Sequence, residues 1–481
     1  MYKKIKKYSV QDLLIYIGKL NLEMFNNGSP MKEINYSLKY GQYQQHSTSY
    51  ICSWELKDIA YNSVKYSNDY RNDNLDLQSF YKIINEHREI EDKKSEATNT
   101  DSIFYLLYGL SQQQFWYQQK YEVIEQFNRN IKLLKYIPKE LDTVIDIEDV
   151  MRESLGISVD DYIDILLSLL VLSLKKVDIS DFVKTGYGVS FLNKEHSKVL
   201  EVIELYTADY KEIRSSILEE NIFLAKPIVK TDKGRYIIPN IYLMFRLLSD
   251  GLYWIIRNYY YKQGSQIFTN EFGIYFEKYV ENLFKFYLKD IKYYKPIEMK
   301  GKKIADWVIE VGEYILIIEQ KSMIASLKLK KPIPDIENFN KYVNKYNEAF
   351  EQLNSTEKEI LSERKDKKII KLILHYDSLY STEMLKEEIC KSRIETINED
   401  KNTFFVSIRE VEILSSLMSN DINLFNKIVE EKLNREHNHS LDGRTFDMIF
   451  YKYEIKNNSY LIGERSYFKK RIETLKVMSN N

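Results

Sequence analysis

The sequence predicts an α/β protein: a core with a mixed central sheet flanked by helices, preceded by a large, mainly α-helical N-terminal region. Three observations carry this. Residues 1 to about 220 place apolar side chains at helical spacing almost throughout. From Phe268 onward, helical and strand-like stretches alternate. Residues 301–321, GKKIADWVIEVGEYILIIEQK, read as a β-hairpin. Its return strand is apolar at Ile315, Leu316, Ile317 and Ile318, as expected of a central strand covered on both faces.

Composition bounds the function. With 481 residues, 44% of them apolar, the chain can build roughly two to four domains with real cores. Seventy basic residues against 71 acidic ones give a net charge of −1, so nucleic-acid binding has to come from local patches. Cys52 and Cys390 supply neither a disulfide framework nor a zinc spacing, which fits a reducing cytoplasm. The basic start lacks the apolar core of a signal peptide. The most apolar run, residues 162–174, contains Asp164 and is too short for a membrane span, so a buried helix and no membrane partner are expected.

Taken in order, Ser9 can cap a helix that carries Leu13, Leu14, Ile17 and Leu20 at helical spacing. Helices over 54–70 and 77–91 follow, then a polar loop, then one long pattern over 103–136. Residues 146–155 and 160–176 each open with acids, which suits the helix dipole. The lone Gly186-x-Gly188 reads as a turn, not a phosphate loop. A helix over 200–219 and a small hairpin within 222–239 precede an apolar helix over 242–259. A boundary at 263/264 closes the N-terminal domain, 1–263, and opens a second domain, 264–420. That domain is expected to hold a helix over 268–289, a strand over 293–299, the hairpin, a helix over 336–361, strands over 369–375 and 404–408, and a helix over 409–418. The C-terminal extension, 421–481, reads as a helix over 422–433 with a short strand over 445–453.

The hairpin concentrates the chemistry. Gly312-Glu313 suits a type II′ turn, and centring the turn there sets opposite each other residues whose numbers sum to 625. Asp306 then faces Glu319, with Lys321 two residues on and on the same face. Two opposed carboxylates repel unless a cation sits between them, and a divalent metal or the Lys321 ammonium is the obvious choice. A bland alternative is an ordinary salt bridge of Lys321 with either acid. Asp306, Glu319 and the Gln320 carbonyl suit Mg²⁺, which takes oxygen ligands and keeps several waters, with Mn²⁺ expected to substitute. Nine lysines against five acids make residues 291–331 locally basic, and Lys328, Lys330 and Lys331 are expected nucleic-acid contacts.

The order helix, strand, hairpin, helix, strand, with D-x12-E-x-K on the hairpin, resembles the PD-(D/E)XK, restriction-endonuclease-like nuclease superfamily over residues 265–420. Asp306 matches its strand aspartate, and Glu319 and Lys321 its E-x-K. Glu277 matches a first-helix glutamate that also binds metal or water, with Glu281 a rival one turn later. Gln352 looks like a glutamine that some branches carry on the following helix. The naming proline is absent, Ala305 standing before Asp306. The resemblance implies a Mg²⁺-dependent endonuclease acting on DNA, although no residue separates DNA from RNA. Its architecture suggests a restriction or phage-defence effector whose helical half recognises substrate, a partner subunit, a second copy or a trigger. The alternative is a nuclease-like nucleic-acid-binding or assembly subunit that does not cut. His437-Asn438-His439 reads as a polar loop, and His375 as core rather than ligand.

Overall fold

The computed structural model describes residues 2–40, 43–96, 103–118, 122–175, 179–185, 195–217, 222–297, 303–326, 329–331, 334–364, 366–377, 402–434, 445–455, 458–462 and 467–480. The Gly186-x-Gly188 stretch and the 437–439 triplet lie outside these residues. The fold is mixed α/β, with helices outnumbering ten strands among the described residues.

The N-terminal region is less purely helical than its periodicity predicts. Ser9 caps the Val10–Asn26 helix as expected, its hydroxyl accepting the Asp12 N–H. Strands β1 (Met31–Tyr40) and β2 (Tyr43–Cys52) then form an antiparallel pair closed between Tyr40 and Tyr43. The pattern over 200–219 breaks too: a helix at His196–Leu205 gives way to β3 (Thr207–Asp209) and a short helix at Tyr210–Ser215. β3 pairs in parallel with β4 (Ile228–Lys230), which pairs antiparallel with β5 (Tyr236–Ile237), so the expected small hairpin belongs to a three-stranded sheet. The pattern over 103–136 divides into Ile103–Gln114, Glu122–Ile131 and a π turn at Lys132–Tyr136.

The second half is built on a five-stranded sheet. β6 (Lys292–Tyr294), β7 (Trp307–Val311) and β8 (Tyr314–Lys321) run antiparallel to one another; β9 (Lys368–His375) and β10 (Thr403–Ser407) continue parallel to β8. The order is β10-β9-β8-β7-β6, so β8 is central. Its parallel step to β9 is made possible by the Ile336–Glu363 helix, the crossover that parallel neighbours require.

Alternation along the strands fills two cores. Val308, Ile315, Ile317 and Ile373 point to the Ile336–Glu363 helix, where Tyr346, Phe350 and Leu353 meet them. Trp307, Ile309, Leu316 and Ile318 point the other way, onto Phe276, Val280, Leu283 and Phe284 of the Ile267–Tyr287 helix. Each such side chain, fully buried, contributes roughly 1.5–3 kcal/mol. The second cluster does not stop at the sheet. It continues through Tyr253 and Ile256 into Tyr162 and Leu166 of the Val159–Leu174 helix. Asp164 within that apolar helix is held by Arg471, whose Nε donates to its carboxylate at 2.8 Å, so the chain end ties down the one acid that the run buries.

Residues 445–453 form a helix, Phe446–Lys452, rather than the expected strand. Thr445 caps it, and Phe446, Ile449 and Phe450 are buried at the 3-and-4 spacing of a helix face. No described helix is long and apolar enough to cross a membrane.

The hairpin turn is the local feature that the site depends on. Gly312 has φ +55° while Glu313 does not reach positive φ, which fits a type II′ turn with glycine first. An added Cβ at Gly312 would meet only Asn426 Oδ1 at 4.0 Å, so a substitution there strains the backbone alone. Gly312→Ala should destabilise the fold by roughly 1–2 kcal/mol, read as a lower urea midpoint with unchanged slope.

Candidate active site

Val311 pairs with Tyr314 and Trp307 with Ile318, the register that the turn predicts. Asp306 lies one residue ahead of β7, and its N–H donates to the Ile318 carbonyl at 3.0 Å, which brings Asp306 opposite Glu319. Alternation then puts Asp306, Glu319 and Lys321 on the face of the sheet that meets the Ile336–Glu363 helix, while Trp307 takes the other face.

Four side chains and one main-chain donor define the geometry. Lys321 Nζ donates to Glu319 Oε1 at 2.6 Å and to Gln352 Oε1 at 3.2 Å. Asp306 Oδ2 accepts the Gln320 N–H at 2.7 Å, so the strand backbone itself aims this carboxylate. Gln352 Nε2 donates to the Ile304 carbonyl at 3.3 Å, making its amide a bridge between Lys321 and the start of the hairpin. Gln320 turns its side chain to the opposite face, where its Oε1 accepts from Trp307 Nε1 at 3.4 Å.

Glu319 is the electrostatic centre. It is 2% exposed, one of its oxygens takes the Lys321 bond, and the other, Oε2, is buried with no hydrogen-bond donor from main chain, lysine, arginine or amide among the described residues, its neighbour being the Asp306 carboxylate. Burial pushes its carboxyl up to about 8; Asp306 beside it adds to the rise, and Lys321 opposes it. Asp306 is raised as well, chiefly by burial, with the Gln320 N–H and Lys321 pulling down and the Glu277 charge pushing up. One ammonium therefore serves two buried carboxylates. That shortfall of positive charge is what a divalent cation would correct, and an oxygen without a donor is a ligand atom already in place. Asp306 and Glu319 thus fit the chemistry of a hard cation. Among the described residues no three His, Cys, Asp or Glu side chains converge on one point, so waters and substrate oxygens would complete such a shell.

The remaining expected residues divide. Glu277 is paired with Lys295, and its charge reaches Asp306 without a bond to it. Lys295 in turn lies 4.8 Å from the Trp307 ring centroid. Glu281, the rival, is engaged by Lys278 and Lys285 on its own helix. Lys330 is corrected from a surface contact to a buried group: it is 7% exposed, and its Nζ lies 3.0 Å from the Asp377 carboxylate. Lys331 is partly exposed and Lys328 lies outside the described residues. His375 is buried at the end of β9, where its Nδ1 meets the Asp377 carbonyl at 2.6 Å and burial lowers its pKa to about 4.

Sequence reasoning missed Thr356. Its buried hydroxyl accepts the Ala305 N–H at 2.8 Å and donates to the Gln352 carbonyl at 2.9 Å. It sits one turn after Gln352, so both clamp the hairpin's first strand to the same helix face. The spacing of four is a signal only once Gln352 is placed, because an isolated threonine on a polar helix carries none.

Compared with known proteins, the chain matches no family model, no curated protein and no solved structure.

The raised Glu319 carboxyl has a consequence for stability. Between its ordinary value of 4.5 and about 8, the folded chain keeps a proton that the unfolded chain has released. The folded state binds more protons there, so metal-free stability falls as pH rises through that window. Urea unfolding in EDTA at pH 5 and pH 8 should show this fall, and Glu319→Gln should reduce it. An unchanged pH dependence in the variant would contradict the assignment of Glu319.

Proposed function

We propose that this chain is a metal-dependent nuclease of the PD-(D/E)XK type that hydrolyses phosphodiester bonds in DNA, acting as a restriction or phage-defence effector. The observation that supports it most is the pair of buried carboxylates, Glu319 facing Asp306, with Lys321 at 2.6 Å on one Glu319 oxygen and no basic donor on the other among the described residues. A salt bridge built only for stability gains nothing from a second buried carboxylate, because repulsion between the two weakens it. The mixed five-stranded sheet, with β8 central and the three residues together at one end of it, is consistent with that reading.

Asp306 and Glu319 would hold a Mg²⁺ ion, with the Gln320 carbonyl as a further oxygen and Mn²⁺ able to replace it. When bound, such an ion polarises a phosphoryl oxygen and lowers the pKa of a water. Lys321 orients the attacking water, or neutralises charge that grows on the phosphoryl oxygens. Gln352 fixes the position of Lys321 through its 3.2 Å bond, and Gln320 fixes Asp306 through its N–H. Burial of Glu319 keeps bulk water away from one side of the site. Glu277, whose charge acts on Asp306, would anchor a water from its helix once released from Lys295. The helical half would supply substrate or partner recognition.

A second reading keeps the fold and drops the cutting: a nucleic-acid-binding or assembly subunit in which Lys321 and Glu319 form a plain ion pair. Their 2.6 Å contact, complete without any metal, is the observation that favours it.

Plasmid and linear DNA, with RNA alongside, should be incubated with purified protein in Mg²⁺, Mn²⁺ or EDTA. Cleavage should require the metal, and Asp306→Ala or Lys321→Ala should each lower its rate by about 10²-fold or more. Cleavage that survives either substitution would sink the site. Failure to cut any nucleic acid would favour the second reading.

A further inference from the structure

The Ile241–Lys262 helix carries one acid, Asp250, against Arg246, Arg257 and Lys262. Asp250 pairs with Arg246 at 3.9 Å. Arg257 has no such partner. Among the described residues no carboxylate lies within ion-pair reach of it, and its guanidinium rests between two rings instead. The Trp254 centroid is 5.3 Å away and the Tyr261 centroid 5.8 Å. The three residues stand at i, i+3 and i+7, so they share one face of the helix. Trp254 and Arg257 are half-buried, and Tyr261 is 68% exposed.

Core packing accounts for the neighbouring face, not for this one. Tyr253 meets Phe268 and Phe272 of the Ile267–Tyr287 helix at centroid distances of 5.2 and 4.9 Å, and Ile256 joins the same apolar cluster. A guanidinium resting on exposed rings gains only about 0.5–1 kcal/mol. That contact leaves the donors of Arg257 without an acid and most of the Tyr261 ring in solvent.

The place of this face ties it to the Asp306 site. Trp254 lines the same crevice as Ile324, three residues beyond Lys321. The adjoining Ile267–Tyr287 helix reaches that segment too: a Cβ added at Gly273 would lie 3.5 Å from the Oγ of Ser322, the residue after Lys321. Both helices therefore border the chain where it leaves β8.

Rings interleaved with a cation suit unpaired bases. Stacking a base on an aromatic side chain is worth about 1–3 kcal/mol, whatever the base, and a guanidinium without an acid takes a backbone phosphate. From Trp254 to Tyr261 the helix rises about 10 Å, close to the rise of about three stacked bases. A duplex hides its base faces against one another and offers phosphates and groove edges, which would leave both rings unused.

We propose that Trp254, Arg257 and Tyr261 bind a single-stranded stretch of the DNA substrate beside the Asp306 site, with bases stacked on the rings and a phosphate on Arg257. The proposal rests on the nuclease reading for where the strand leads. It adds that the substrate carries unpaired nucleotides next to the bond that is cut.

The test is binding without cutting. Fluorescein-labelled oligo-dT of about 12 nucleotides, within the range of single-strand site sizes, and a blunt duplex of equal length are titrated with the full chain in EDTA and followed by anisotropy. Oligo-dT should bind saturably and quench tryptophan fluorescence. Trp254→Ala and Tyr261→Ala should each weaken it about fivefold or more, which is about 1 kcal/mol. Arg257→Met should weaken it too, and should make its dependence on log salt shallower by about 0.7, a change that lost packing does not produce. Duplex affinity should stay the same in all three variants. No saturable binding of oligo-dT by the parent would overturn the proposal, as would variants that bind it as tightly as the parent or lose duplex and oligo-dT affinity equally. If Trp254→Ala does not fold, Tyr261→Ala decides, because that ring is exposed. The two readings fail separately. A chain that cuts DNA in Mg²⁺ while its ring variants bind oligo-dT normally loses the platform and keeps the nuclease; one that binds through the rings and cuts nothing does the reverse.

Discussion

Two carboxylates set opposite each other in a covered strand pair form the constraint on which the rest of the molecule depends. Asp306 and Glu319 are opposed because the type II′ turn at Gly312 fixes the register, and a slip of one residue would turn both to the other face. They are buried because β8 is central, with the Ile336–Glu363 helix on one face and the Ile267–Tyr287 helix on the other. Burial raises both carboxyls, and Lys321 offsets only part of the cost. A chain selected for stability alone has little reason to keep that arrangement. One that must hold a cation and a phosphate has a direct reason.

The surroundings hold this pair rigidly. Thr356 and Gln352, one helical turn apart, fasten residues 304 and 305 to the long helix, so the approach to Asp306 is tied by hydrogen bonds rather than by packing alone. The opposite face of the sheet shares its apolar cluster with the helical region. A buried polar hub reinforces that junction: Glu412 takes both contacts from Arg129 and a 2.5 Å bond from Tyr279, joining the Glu122–Ile131 helix, the Ile267–Tyr287 helix and the Ile408–Asn420 helix. Removing one partner of such a network typically costs roughly 3–5 kcal/mol. The helical half is thus mechanically continuous with the sheet, as expected if binding there is to influence chemistry at β8.

Much of the hairpin was legible in the sequence because two strong local signals agreed: a glycine where positive φ is needed, and an apolar run that only a central strand explains. The crossover helix was legible for the same reason, since a long periodic pattern between two apolar runs has few other readings. Elsewhere the local signal was ambiguous. Ile34, Leu38 and their neighbours alternate as a strand does, yet β1 and β2 are polar enough to pass for loop between helices. Residues 445–453 read as a short strand, while Phe446, Ile449 and Phe450 at helical spacing, with Thr445 as cap, make a helix. Lys330 read as a nucleic-acid contact because its partner, Asp377, is 47 residues away in sequence, and no local pattern reports a long-range ion pair. The same limit explains Thr356, which matters through contacts that only the folded chain makes.

The cation site is the central claim, and binding of Mn²⁺ in the absence of nucleic acid tests it most directly. Titration followed by the loss of free-ion paramagnetic signal should give one saturable site in the unmodified chain. Asp306→Asn and Glu319→Gln should each weaken that site by about tenfold or more, with the fold intact by circular dichroism. Mn²⁺ binding that is equally tight in both variants would contradict a site built from these two carboxylates, as would no saturable binding in the parent.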